Sequence, residues 1–298
     1  MNMRPHHRLL PDGRRLHLGH GPVDLIVQAE GPEAAVAEGY RRAVVRFDGL
    51  LEELVAELPL LRQPVQRGEC PVRGPISRRM WQAARCFAPA FVTPMAGVAG
   101  SVAEAVLASM VDVPGLMRAS VNNGGDIALY LRPGAAAWRM GVIVDPQNPA
   151  SLGVLEISAT DACRGVATSG AKGRSHSLGI ADSVTVLAAD ASTADVAATL
   201  LANATDLPDH SAIVRQPAQA LSPDSDLGAR LVTVSVGKLT DTEVAQALDA
   251  GEDLADAMLA AGRIVGAAMV LQGRVRLVGR VPMAMENFGI SNGKLLNV

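Results

Sequence analysis

"RASVNNGGDIALYLR", residues 118–132, reads as a strand, a tight turn and a second strand. Two consecutive glycines at 124 and 125 accept positive φ and leave no Cβ beside the turn. Asn122, Asn123 and Asp126 surround that opening with donors and acceptors. Asn-Gly is also a hairpin signal on its own, so this stretch alone specifies an antiparallel pair and no more.

Working outward from the hairpin, further strands are predicted at 138–146, 153–158, 183–189 and 231–237. "IVGAAMVLQGRVRLVG" (264–279) is a second hairpin, turning at Gln272-Gly273, and "LHLGHGPVDLIVQAEG" (16–31) a third. Helical patterns cover 32–58, 76–90, 94–111, 192–204 and 241–262; Pro32 opens the first, and Ser192 or Thr193 is the expected N-cap of the fourth. Residues 63–75 read as a linker or loop. Strands and helices do not alternate regularly. A parallel doubly wound sheet is therefore not expected, and the fold class is α+β with mainly antiparallel sheets packed with helices. The expected organisation is one domain over 1–279, in one or two lobes, followed by a tail at 280–298.

Composition excludes several classes. A formal net charge of -3 leaves no electrostatic footprint for nucleic acid. Two Trp, two Tyr and four Phe are too few for a base-stacking platform. Cys70, Cys86 and Cys163 are an odd, sparse set without C-x-x-C spacing, which argues against a disulfide framework or a zinc knuckle. The N-terminal stretch lacks the apolar core of a secretory signal. The longest apolar stretch, near 95–113, carries Glu104 and Asp112 and is too short and polar for a membrane span. A cytoplasmic protein with a small-molecule ligand, without nucleic acid or membrane partners, is the expectation.

Two more polar islands stand out. "GVATSGAKGRSHSLGIAD" (165–182) sets Thr168, Ser169 and Gly170 after a short apolar approach. It can present backbone N–H groups to an anion, with Lys172 and Arg174 adding positive charge. His176 and Asp182 are its candidate acid or base. As a solvated loop, its Ser and Thr would only make local turns. "ADVAAT" (194–199) places Asp195 and Thr199 four residues apart on one helix face. Asp195 is expected in the first turn, where the helix dipole favours a carboxylate. A carboxylate and a hydroxyl suit a hard cation such as Mg²⁺. In isolation the pair reads as a surface Asp and a Thr bonded back to the preceding turn.

Taken in order, "VNNGGDI", "GVATSG" and "SVTVLAADASTADVAAT" resemble the ApbE-like superfamily of flavin-handling proteins, whose best-known members are FAD:protein FMN transferases. The resemblance runs from about Thr93 to Ala204. "TPMAGVAGSVAEAV", "VNNGGDIAL" and "GRSHSLGIADSVTVLA" are similar to a cytoplasmic branch of that superfamily without an assigned activity. The resemblance implies an ApbE-like α+β fold, a cleft for FAD or FMN, and Mg²⁺ near the diphosphate. Asn122, Asn123, Gly124, Gly125 and Asp126 fall on the glycine turn at the cleft. Thr168, Ser169 and Gly170 fall on the A-T-S-G loop, and Asp195 and Thr199 on the metal ligands. Two departures stand against transfer of FMN. Gly100 occupies the position of the family's lysine. The D-P-x-T-G element after A-T-S-G is missing, although His176 keeps its place.

Two other readings remain open. Some relatives in this branch are thought to relay sulfur through a cysteine persulfide beside a ferredoxin-like partner. Cys163, near Arg164, Lys172 and Arg174, is the candidate thiol for that role. A ligand-binding or assembly protein without chemistry is the other reading, with a homo-oligomer left open.

Overall fold

A computed structural model describes residues 4–66, 68–144, 151–173 and 175–285. The chain opens with β1 (His6–Leu9), β2 (Arg15–His20) and β3 (Val23–Glu30), followed by α1 (Glu33–Phe47), α2 (Leu50–Leu61) and α3 (Pro75–Arg85). A single 3₁₀ turn, Pro94–Gly97, leads into α4 (Val98–Ala108). Then come β4 (Arg118–Asn123), β5 (Asp126–Leu131), β6 (Trp138–Ile143), β7 (Ser151–Ile157), β8 (Gly165–Ser169), β9 (Ser183–Ala188) and α5 (Ala191–Ala204). The remaining elements are β10 (Ile213–Pro217), α6 (Ala218–Leu221), β11 (Leu231–Val236), α7 (Asp241–Ala260), β12 (Gly266–Leu271), β13 (Arg274–Gly279) and β14 (Met283–Met285).

The pairing is antiparallel throughout, as the irregular order of strands and helices predicts. Nine strands form one sheet in the order β1-β2-β3-β4-β5-β8-β9-β12-β13. A three-stranded sheet, β14-β7-β6, and a ribbon, β10-β11, complete the set. The period-2 alternation of β8 and β9 explains how the large sheet is covered on both faces. Ala167, Val184 and Val186 point to the helical side, where they meet Ala194, Ala198 and Leu201 of α5. Val166 and Leu187 point the other way, into a core shared with Trp138, Leu155 and Ile157 of the small sheet. No helix among the described residues is long and apolar enough to cross a membrane.

Three local readings are corrected. The helical pattern 32–58 is two helices, because Asp48 is extended and Gly49 takes φ 76°, a left-handed value that glycine adopts without strain. This break lets Phe47 and Leu50 both be buried. α5 is capped not by Ser192 or Thr193 but by Asp190, whose side chain accepts a hydrogen bond from the Thr193 N–H at 2.8 Å. Asp195 consequently lies in the second turn rather than the first. The A-T-S-G stretch, read as a loop, is the end of strand β8. Of the expected tail, residues 283–285 pair with β7, and 286–298 lie outside the described residues, as does Arg174.

Candidate functional site

In the β4–β5 hairpin, Asn123 pairs with Asp126 across a two-residue turn in which Gly124 and Gly125 have φ of 66° and 120°. Only glycine occupies that backbone comfortably, and the Gly125 N–H is fixed by the Asn122 Oδ1 at 2.8 Å. β8 runs antiparallel beside β5, so Thr168, Ser169 and Gly170 emerge at the same sheet end as the turn. The Thr168 N–H donates to Asp126 Oδ1 at 3.1 Å, which ties the first island to the second.

The third island arrives through the crossing of α4 and α5. Asp195 Oδ2 accepts the Gly100 N–H at 2.9 Å and thereby satisfies an amide at the N-terminus of α4. The dipole that favours its charge is that of α4, not of its own helix. Gly100 explains the missing lysine. A Cβ at this position would lie 2.6 Å from the Ala191 carbonyl carbon, so the helices cross where no side chain fits. Arg79, Glu104 and Asp190 lock the crossing: Arg79 Nε bonds Glu104 Oε2 and its Nη2 bonds Asp190 Oδ1, each at 2.7 Å. Glu104 also accepts the Ser192 N–H at 2.9 Å.

Asn123, Gly124, Asp126, Thr168, Ser169, Gly170, Asp195 and Thr199 all line one cavity of about 520 Å³. Its opposite wall is apolar, made by Leu51, Leu54 and Leu58 of α2 with Met80, Met95 and Val98. An adjoining space of about 440 Å³ shares Asp126, Ser169, Asp195 and Thr199 and adds His176, Asn203, Ser222, Asp224 and Asp226. His176 is exposed there, with Nε2 3.1 Å from the Ser222 hydroxyl. The loop carrying Asp226 is held by a hydrogen bond from the Thr93 hydroxyl to its carboxylate. Sequence reasoning missed the α2 wall and this loop. The leucines of α2 read as ordinary core, and "SPDS" (222–225) as a plain polar loop.

The predicted set is not all on one side. Asn122, Gly125 and Asp182 line a different cavity, of about 380 Å³, between the end of the large sheet and the small sheet. Asp182 is engaged there: its Oδ2 accepts the Gln272 N–H at 2.6 Å and its Oδ1 lies 3.4 Å from Lys172 Nζ. The candidate acid or base Asp182 therefore lies on a different cavity from Asp195 and Thr199. Cys163 is corrected as well. It is buried against Leu129, Val166 and Leu187, its Sγ directed at the Gly165 carbonyl at 3.2 Å. Burial pushes its thiol up to about 11, outweighing the charge of Arg164, whose guanidinium is occupied by three backbone carbonyls. A thiol that stays protonated and lines none of these three cavities is unsuited to a persulfide relay.

The electrostatics of the cleft are acidic. Asp126, Asp195, Asp224 and Asp226 face its two spaces, against Arg62 and His176 as the basic groups among the described lining residues. Burial pushes the Asp126 carboxyl up to about 7. Asp195 is raised well above the usual carboxylate range by burial and then by the charge of Asp126. Among the described residues no three His, Cys, Asp or Glu side chains gather as a ready metal cage. The donors present are carboxylate and hydroxyl oxygens. They fit a hard cation that completes its shell with water and ligand oxygens, and they do not fit zinc.

A family model described as "AbpE bacteria" matches residues 7–277. The chain belongs to this family. A UPF0280 protein of Methanothrix thermoacetophila is 34% identical over 216 residues, covering 72% of this chain and 85% of its own length. A UPF0280 protein of Methanopyrus kandleri is 33% identical over 219 residues, covering 72% of this chain and 82% of its own. The apo crystal structure of Pseudomonas stutzeri flavinyl transferase ApbE matches with a TM-score of 0.39 and 14% identity, over 67% of this chain and 84% of that one. A likeness that low carries no conclusion about the site. Membership of the AbpE family rests on the sequence match alone.

Proposed function

We propose that this protein binds a flavin nucleotide, FAD or FMN, together with a divalent cation such as Mg²⁺, in the cleft between α2, α4, α5 and the sheet end. The observation that supports this reading is the meeting of three distant segments on one cavity, with an apolar wall facing a polar floor. The wall of Leu51, Leu54, Leu58, Met80 and Met95 suits a large ring system. The floor of glycine backbone, Ser169 and carboxylates suits phosphate only when a cation offsets the acidic lining. Asp195 and Thr199, with Asp126 beside them, would hold that cation, which would supply charge compensation to phosphoryl oxygens.

His176, which lines the outer space, would be the acid or base acting through Nε2. Gly100 supplies no amine, so the reading rests on binding first and turnover of the diphosphate second. A cytoplasmic setting is compatible with three cysteines that are all free thiols. The test is a flavin-fluorescence titration with FAD in 5-fold steps of Mg²⁺ about a millimolar range. Asp195→Ala and Thr199→Ala are expected to abolish the cation dependence and to weaken binding at least about tenfold. Equal affinity with and without Mg²⁺, unchanged in both variants, would contradict the reading. Chromatographic release of AMP or FMN from bound FAD separates an enzyme from a binding protein.

A further inference from the structure

The cavity of about 380 Å³ between the two sheets is not part of the cleft just described, yet it touches it. Both are lined by Gly124, Thr168, Ser169 and Gly173, so they meet where two of the four wall residues have no side chain. Their chemistry differs. The cleft on the helical side carries Asp126, Asp195 and, in its outer space, Asp224 and Asp226. Among its described lining residues the inter-sheet cavity carries one carboxylate, Asp182, and that group is bonded to the Gln272 N–H and paired with Lys172. No arginine or lysine is among its described lining residues. Its walls are mainly apolar, from Ile127, Met140, Val142, Leu155 and Val166. The remaining polar side chains of the described lining are uncharged: the Asn122 amide and the hydroxyls of Ser169, Ser183, Thr168 and Thr185, the last two 2.9 Å apart.

We propose that this inter-sheet cavity is a second ligand compartment, which takes an uncharged, mainly apolar small molecule with a hydroxyl or carbonyl at one end. The apolar walls supply the binding energy, and the Thr168–Thr185 hydroxyls with Asn122 orient the polar end. A phosphate or carboxylate is disfavoured, because the one charged side chain in the described lining is the Asp182 carboxylate. The occupant reaches the cleft ligand at Gly124 and Ser169, which makes it the second partner of whatever the cleft binds. The proposal deepens the flavin-nucleotide reading by giving that ligand a neighbour, and it does not require the first ligand to be a flavin.

Methionine methyl NMR tests both readings separately, because each space has its own reporters. Met80 and Met95 line the cleft and Met140 lines the inter-sheet cavity. The probe is 1-naphthol, an uncharged aromatic with one hydroxyl, titrated to about 1 mM, with 1-naphthyl phosphate as the charged control. Met140, assigned with Met140→Leu, is expected to shift with 1-naphthol and to stay unmoved with the phosphate. FAD with Mg²⁺ is expected to shift Met80 and Met95. Val142→Phe, which fills the cavity from the same strand, should weaken 1-naphthol at least tenfold. Thr185→Val, which keeps the volume and deletes one hydroxyl, should weaken it about threefold to tenfold and keeps the test open if the larger variant does not fold. The proposal is overturned if 1-naphthol leaves Met140 unmoved, if the phosphate binds there as well, or if both variants bind like the parent. Failure of FAD to move Met80 and Met95 sinks the flavin reading and leaves this one standing.

Discussion

Replacing Asp126 by Asn tests the physics of the site without any ligand. Burial disfavours the charge of the Asp126 carboxyl and pushes it up from an ordinary 3.8 to about 7. A raised carboxylate pKa means that the native state holds a proton the unfolded chain has already released. Stability therefore falls as pH climbs from about 4 towards 7 and stays low above it. At about 1.4 kcal/mol for each pH unit, three units amount to about 4 kcal/mol at pH 8, an upper figure for a carboxylate at a cavity wall. Asn keeps the size and the acceptor for the Thr168 N–H and removes the charge, together with its push on Asp195. In metal-free buffer the variant should match the parent within about 1 kcal/mol at pH 4.5 and exceed it by about 2–4 kcal/mol at pH 8. For a chain of this length that is a gain of roughly 3–6 °C in melting temperature. Differential scanning calorimetry across pH 4.5–8 with a chelator present reads it directly. A variant less stable than the parent at pH 8, or a difference independent of pH, refutes the idea that a desolvated acidic pair is stored at this site.

Gly100→Ala should cost about 1–3 kcal/mol in denaturant unfolding, because its methyl runs into the Ala191 carbonyl. Gly100→Lys should do no better and should recover no transferase activity. Arg79→Ala removes the partner of both Glu104 and Asp190 and should cost about 1–3 kcal/mol; an unchanged midpoint would show that this crossing is held by packing alone. Cys163→Ala should leave FAD affinity unaltered, and in the native protein a thiol reagent should label Cys86, which is exposed, but not Cys163. Rapid native labelling of Cys163 would return the sulfur-relay reading to contention.

Much of this architecture is legible in the residues. The Gly124-Gly125 turn and the Gln272-Gly273 turn each fix a hairpin, because positive φ at those positions leaves the chain little choice. Helix α7 announces itself by the Thr240 and Glu243 capping box and by its apolar period. Other features have a masked local signal or none. Asp48-Gly49 is a turn dipeptide, but the apolar period continues in register on both sides of it. β8 is short and rich in Gly, Thr and Ser, and it is a strand only because β5 and β9 flank it. For the site, spacing identifies Asp195 and Thr199 as sharing a face, but not which face. That face is set by Gly100, where close approach turns the carboxylate onto the α4 amides. Asp182 and Asp126 look alike in sequence. Lys172 and the Gln272 N–H, far apart along the chain, occupy the first and leave the second to the cleft.

A crystal structure of the protein grown with FAD and Mg²⁺ bears most directly on the central proposal. The expected density places the ring against Leu51, Leu54 and Met95, the phosphates at Gly124 and Ser169, and a cation on Asp195 and Thr199. Flavin bound on another surface, or a cation seated away from Asp195 with the cleft empty, would contradict it.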